Sequence, residues 1–238
     1  MERNVLFAGK EYPDGRDFAI AATKYGRKVI ITVESMPEGL NEGALSDGIY
    51  PALWSRNSPL ASRSLMVQAE SICEKLHEVV IVFDTSWYSS HFTEMTPECC
   101  SRAIDRMISC YTYLVAEILS RFKRKGGGTV VFVIKKSSTP ANGGFVKPVS
   151  MLAAMAEGAF KGLGESVAMT HAQDETVNVV LSMADYGTAD THFANWLFEV
   201  LDAPNGIAGK MDPKKGPQWF KMGAKTTKMG LFHRPQKK

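Results

Sequence analysis

Histidine, cysteine and long apolar runs are all scarce in this chain, and each scarcity closes off a class of function. Five histidines and four cysteines are spread over 238 residues, and neither a CxxC nor an HxxxH spacing joins them, so no metal site of the usual zinc pattern is expected. Cys73, Cys99, Cys100 and Cys110 show no paired framework, and the adjacent Cys99 and Cys100 are poor partners for each other. Reduced thiols in a cytoplasmic protein are therefore expected. No apolar run approaches the ~20 residues needed to cross a bilayer. The opening MERNVLF runs directly into a strand-like segment, without the basic and long apolar regions of a secretory signal. There is also no internal repeat and no low-complexity tract.

What is present is an ordinary globular composition, 45% hydrophobic and 22% charged. The net charge of +3 hides an asymmetry. Residues 210–238 hold nine Lys/Arg against the single acid Asp212, so this basic C-terminal segment carries +8 and the rest of the chain −5. Such a segment suits an acidic partner, a phosphorylated ligand or plain solvation. No recognisable nucleic-acid motif accompanies it, so nucleic acid is not expected as a partner. Trp219, Phe220 and Phe232 lie within it, so part of it is expected to pack on the body.

Short apolar, β-branched runs recur at 5–8, 29–33, 79–83, 130–134 and 177–181, with a further short strand expected near 52–55. Continuous rather than alternating apolar residues suit strands buried on both faces of a parallel sheet. Helical stretches fall at 62–77, 97–125, 150–171 and 193–201. Pro97 is tolerated in a first turn, and Gly126, Gly127 and Gly128 end the long helix. The alternation predicts one Rossmann-like α/β domain over 1–238, a doubly wound parallel sheet with right-handed crossovers. The polar stretches 36–58 and 135–149 would border a ligand pocket at the carboxyl ends of the strands.

The segment from Asn4 to Thr32 reads as strand, glycine-bearing turn, helix and strand, the start of a dinucleotide fold. Together with KGGGTVVFVI after the long helix and EGAFKGLGESVA at 157–168, it resembles the short-chain dehydrogenase/reductase family over roughly residues 3–205. The resemblance implies NAD or NADP as cofactor. It places Gly9 and Gly15 in the phosphate turn, Glu34 at the ribose, and Asp84 and Thr85 in the turn after the fourth strand. It also implies a homodimer or homotetramer through helices 97–125 and 150–171.

The chain departs from that family at each position that carries its chemistry. Pro13 stands at the middle glycine of the phosphate turn, which removes an N–H and adds a ring. Trp87 stands where the family has glycine. The family's Asn, Ser, Tyr and Lys fall on Met107, Ile134–Lys135, Ala153 and Glu157, and the longer Tyr-to-Lys spacing of its enoyl-reductase branch falls on Ser150. Alanine and methionine cannot donate the proton that hydride transfer to a carbonyl needs. A carboxylate at 157 would raise, not lower, the pKa of a neighbouring phenol.

The expected function is thus that of a degenerate short-chain dehydrogenase/reductase-like protein without the usual catalytic tetrad, in a nucleotide-binding or scaffold role. The alternative is an NAD(P)-dependent oxidoreductase acting on a carbonyl or enoyl substrate with relocated proton donors. Lys135 with Tyr186 is the sharpest substitute pair, and Lys136, Ser137, Ser138, Asp185 and His91 are further polar residues at the strand ends.

Overall fold

A computed structural model describes residues 3–36, 45–46, 48–137, 149–203 and 216–222. Its centre is a seven-stranded, all-parallel sheet. In chain order the strands are β1 (Arg3–Ala8), β2 (Arg27–Val33), β3 (Ile49–Leu53), β4 (Glu78–Asp84), β5 (Gly128–Lys135), β6 (Val177–Ala184) and β7 (Phe220–Lys221). Their spatial order is β3-β2-β1-β4-β5-β6-β7. The direction of strand addition therefore reverses between β1 and β4, the point where such sheets open a crevice.

The helices are α1 (Arg16–Lys24), α2 (Pro59–Ile72), α3 (Thr85–His91), α4 (Pro97–Ile104), α5 (Cys110–Arg124), α6 (Met151–Thr170) and α7 (Asp190–Asp202). Alternate side chains of each strand point to opposite faces. Leu6, Ile81 and Phe132 pack beneath α2, α4, α5 and α6, while Phe7, Val80 and Val131 pack beneath α1 and α7. The predicted doubly wound architecture is the observed one.

Several boundaries differ from the sequence reading, for local reasons. Helix α2 starts at Pro59, with Ser58 capping it by accepting from Ala61 N, and it ends at Ile72 because Cys73 is extended. The stretch 73–77, expected to be helical, instead leads into β4. Strand β3 sits three residues before its expected start, with Pro51 inside it. An edge strand tolerates that missing N–H. The helix expected at 97–125 is interrupted by a π-helical turn at Asp105–Ser109.

Helix α3 was not anticipated. The Asp84 side chain caps it by accepting from Trp87 N. Trp219 packs against the core and donates Nε1 to Glu165 at 2.9 Å, so the expected docking of the C-terminal segment holds for its described part. Phe232 and Ser138 lie outside the described residues. All four cysteines are free, and burial pushes Cys73 up to about 11 and Cys110 up to about 12. Among the described residues no helix is long and apolar enough to cross a membrane, and no group of His, Cys, Asp and Glu could hold a metal.

Candidate functional site

Four charged side chains meet at the carboxyl ends of the central strands. Lys10 follows β1, Asp84 ends β4, Lys135 ends β5, and Asp190 opens α7. Lys10 Nζ donates to Asp84 Oδ2 at 3.0 Å and also to Asp190. Lys135 Nζ donates to Asp190 and lies 3.6 Å from Asp84 Oδ2. Each ammonium thus faces both carboxylates, and the four groups form a closed ring of alternating charge. Their side chains are only 9–18% exposed. Burial opposes the charge on Lys10, but Asp84 and Asp190 outweigh it and hold the ammonium above its ordinary value. Burial likewise favours the neutral acid at Asp84, and Lys10 and Lys135 outweigh it, keeping that carboxyl below its ordinary value.

The ring opens into a cleft of about 560 Å³, whose wall also carries Asp14, Ser86, Trp87, Ser89, Ser90, Ser137 and Tyr186. A smaller cavity of about 200 Å³ adjoins it through Lys10, Asp14, Asp84 and Trp87, and is bordered by Gly9–Pro13 and Glu34. Trp87 is backed by His91, their rings stacked with centroids 4.0 Å apart. His91 Nδ1 donates to the Trp87 carbonyl at 2.7 Å.

Beneath the turn after β1 lies a second, largely buried network. Arg56, at a positive φ of 52°, is 3% exposed. Its guanidinium donates to Glu11 and to the Tyr88 hydroxyl. Tyr88 passes the chain to Tyr111 at 2.8 Å, and Tyr111 donates to the Val82 carbonyl at 2.9 Å. The guanidinium carbon also lies 4.8 Å from the Trp54 ring centroid, within cation–π range. Burial opposes the charge of Arg56, yet Glu11, with the Tyr88 and Tyr111 hydroxyl groups, holds it well above its ordinary value.

The residues singled out from the sequence are distributed as follows. Asp84 and Lys135 are brought together in the ring. Tyr186 is 60% exposed on the wall of the same cleft. The Lys135 ammonium is spent on the two carboxylates rather than on that phenol. Thr85 donates to Glu157 at 2.6 Å. Glu34 is half-exposed, borders the smaller cavity, and is paired with Arg106 of the π-helical turn. Ala153 and Met107 are both fully buried, and Ser150 caps α6 by accepting from Ala153 N at 3.2 Å.

Gly9 and Gly15 form the turn, and their lack of a side chain answers to the protein's own packing. A Cβ on Gly9 would lie 2.0 Å from the Val82 carbonyl oxygen, and one on Gly15 would lie 2.1 Å from that of Lys10. A dinucleotide's pyrophosphate needs free N–H groups and positive charge at this turn. The Tyr12, Gly15 and Arg16 N–H groups instead donate to the Thr32, Glu11 and Pro13 carbonyls at 3.0, 2.8 and 3.0 Å. Pro13 has no N–H to offer. Asp17 already occupies the first turn of α1, where it complements the helix dipole. Both nearby ammonium groups are matched by carboxylates. The Tyr12, Gly15 and Arg16 N–H groups and Pro13 therefore have nothing to offer a pyrophosphate at this turn.

Lys10 and Asp190 escaped the sequence reading. Lys10 directly follows the first glycine and Asp190 is the first residue of a helix, but 180 positions separate them in the chain.

The fold recurs in solved structures. Over 93% of its length this chain matches 88% of a short-chain dehydrogenase from Streptomyces avermitilis, with a TM-score of 0.66 at 16% identity. It has the short-chain dehydrogenase/reductase fold. An oxidoreductase classed in that family from Aeromonas hydrophila matches with a TM-score of 0.65 at 16% identity, covering 84% of this chain and 92% of the other. A gluconate 5-dehydrogenase from Burkholderia cenocepacia, crystallised with NADP and tartrate, matches with a TM-score of 0.58 at 12% identity, covering 85% and 76%. No protein-family model matches the sequence, and no curated protein does. At these identities the likeness speaks for the fold of this chain, which the sequence motifs had already suggested.

Proposed function

We propose that this chain is a ligand-binding member of the short-chain dehydrogenase/reductase fold that does not run the fold's hydride-transfer reaction. The observation that carries the reading is the pair Ala153 and Glu157. Where the resemblance expects tyrosine and lysine, one side chain is a buried methyl group and the other accepts a hydrogen bond from Thr85. The methyl group has no proton to give a developing alkoxide, and an acidic side chain at 157 lacks the positive charge with which a lysine would acidify a phenol. The ring of Lys10, Asp84, Lys135 and Asp190 then forms the polar floor of a binding cleft, and the NAD or NADP of the fold is bound weakly or not at all.

A second reading keeps a nicotinamide-dependent oxidoreductase with relocated donors. What favours it is that Lys135 and Tyr186 line one cleft, and that the Burkholderia cenocepacia enzyme was crystallised with NADP. Titration with NADH and NADPH, read by calorimetry, together with reduction assays on carbonyl and enoyl compounds, separates the two. The first reading expects no turnover. Reduction at ordinary enzyme rates, about 1 s⁻¹ or faster, with Ala153 and Glu157 intact would overturn it.

The same proposal includes a homodimer or homotetramer built on α4–α5 and α6. Its support is that Ile104, Met151 and Met155 stand 45%, 67% and 48% exposed on these helices. In addition, Gly158 and Gly162 lie within α6 with nothing among the described residues within 4 Å of their missing Cβ atoms.

A further inference from the structure

The ring of four charges restricts what can enter the cleft, because any ligand must replace the contacts it breaks. A simple anion that drew Lys10 and Lys135 away would leave Asp84 and Asp190, only 9% and 14% exposed, without cations. A simple cation would do the reverse. Removing one partner of a buried pair is far more costly than exchanging both. A ligand that carries both signs on neighbouring atoms exchanges pair for pair and leaves every charge matched. In the ring, oppositely charged groups lie 3.0 Å apart at Lys10–Asp84 and 3.6 Å at Lys135–Asp84. A carboxylate and an ammonium on one carbon fit that spacing. On the wall of the same cleft stands Trp87, its indole stacked on His91. A flat π surface of this kind receives an apolar or aromatic group, or the edge of an ammonium.

From this we infer that the cleft binds a small zwitterion of the α-amino-acid type, its ammonium and carboxylate entering the Lys10–Asp84–Lys135–Asp190 ring and its side chain lying along Trp87. The inference rests on the binding-protein reading above, and it assigns that cleft a ligand class.

The test uses the full chain and calorimetric titration. L-Phenylalanine is compared with phenethylamine, which lacks the carboxylate, and with 3-phenylpropanoate, which lacks the ammonium. A thermal-shift screen of the twenty common L-amino acids extends the same class. At least one amino acid is expected to bind saturably, with its two half-ligands at least tenfold weaker. Asp190→Asn is expected to weaken the amino acid by a similar factor. The comparison of whole and half ligands needs no variant, so it stands even if Asp190→Asn folds poorly. Equal binding of 3-phenylpropanoate or inorganic phosphate would make this an anion site and overturn the inference, and so would no binding by any of the twenty. Turnover with NADH or NADPH is the separate outcome that would overturn the binding-protein reading.

Discussion

The hydroxyl groups of Tyr88 and Tyr111 lie 2.8 Å apart directly under the turn that follows β1, and Arg56 is bound to the first of them. The contact joins α3 to α5, and through Tyr111 it reaches the Val82 carbonyl, beside which Gly9 packs. The turn is held from below by this network, so its shape is a property of the core as much as of its glycines.

Arg56→Ala is expected to destabilise the fold by about 3–5 kcal/mol, the usual consequence of leaving one member of a buried ion pair alone. Glu11 would lose its cation and Tyr88 its donor. Urea denaturation of the variant checks this. A loss under about 1 kcal/mol would mean that water replaces the guanidinium freely.

Gly9→Ala and Gly158→Ala should act in opposite directions. The first adds a methyl group at φ +98° against a carbonyl, with an expected cost of about 3 kcal/mol or more. The second fills open space inside a helix and should stabilise the isolated subunit by about 0.5–1 kcal/mol. If α6 lies against another copy, the added methyl group would instead loosen that contact. Thermal melts followed over a range of protein concentrations distinguish the two effects.

The exposed methionines of α6 give a direct test of assembly. Met155→Glu places a charge on the outer face and should shift the chain toward monomer, as measured by light scattering after gel filtration. An unchanged mass for the variant would remove α6 from the interface.

The charge ring makes stability depend on pH at both ends of the scale. The Asp84 carboxyl titrates lower in the folded chain than its ordinary value. Its contribution is therefore present above about pH 4 and lost as pH falls through the folded value. The Lys10 ammonium titrates higher when folded, so its contribution is present below about pH 10 and lost as pH rises through the folded value. Asp84→Asn should flatten the acid limb in a series of urea midpoints from pH 3 to 7, and should also weaken the capping of α3.

Much of the fold was legible because the sheet is buried on both faces. Runs such as VLFA, VVIVF and VVFVI have no polar residue to alternate with, and they leave little but a central parallel strand. Helix α3 was illegible because TSWYSSH has neither length nor apolar period, and its start rests on a single capping residue, Asp84, that also belongs to the ring. The end of α2 was misplaced because CEKLH has ordinary helical composition, while Leu76 is drawn into the core on the way to β4. At the site, Asp84 and Lys135 could be found as polar residues ending apolar strands. Their partners could not, since nothing local marks Lys10 or Asp190 as meeting across the crevice.

Helix α7 carries an acid as its first residue and another as its last. Asp190 is fastened to Lys10 and Lys135, and Asp202 to Arg27 at 2.9 Å and Arg3 at 2.8 Å. The first acid suits the positive end of the helix dipole. The second opposes the negative end and depends on its arginines. The Arg27 guanidinium also grips Glu78 at the amino end of β4. The helix is thus a tie-rod clamped at both rims of the sheet, about 18 Å apart by its thirteen residues. A ligand that engages Asp190 from within the cleft thus touches an element whose other end is anchored at the far rim.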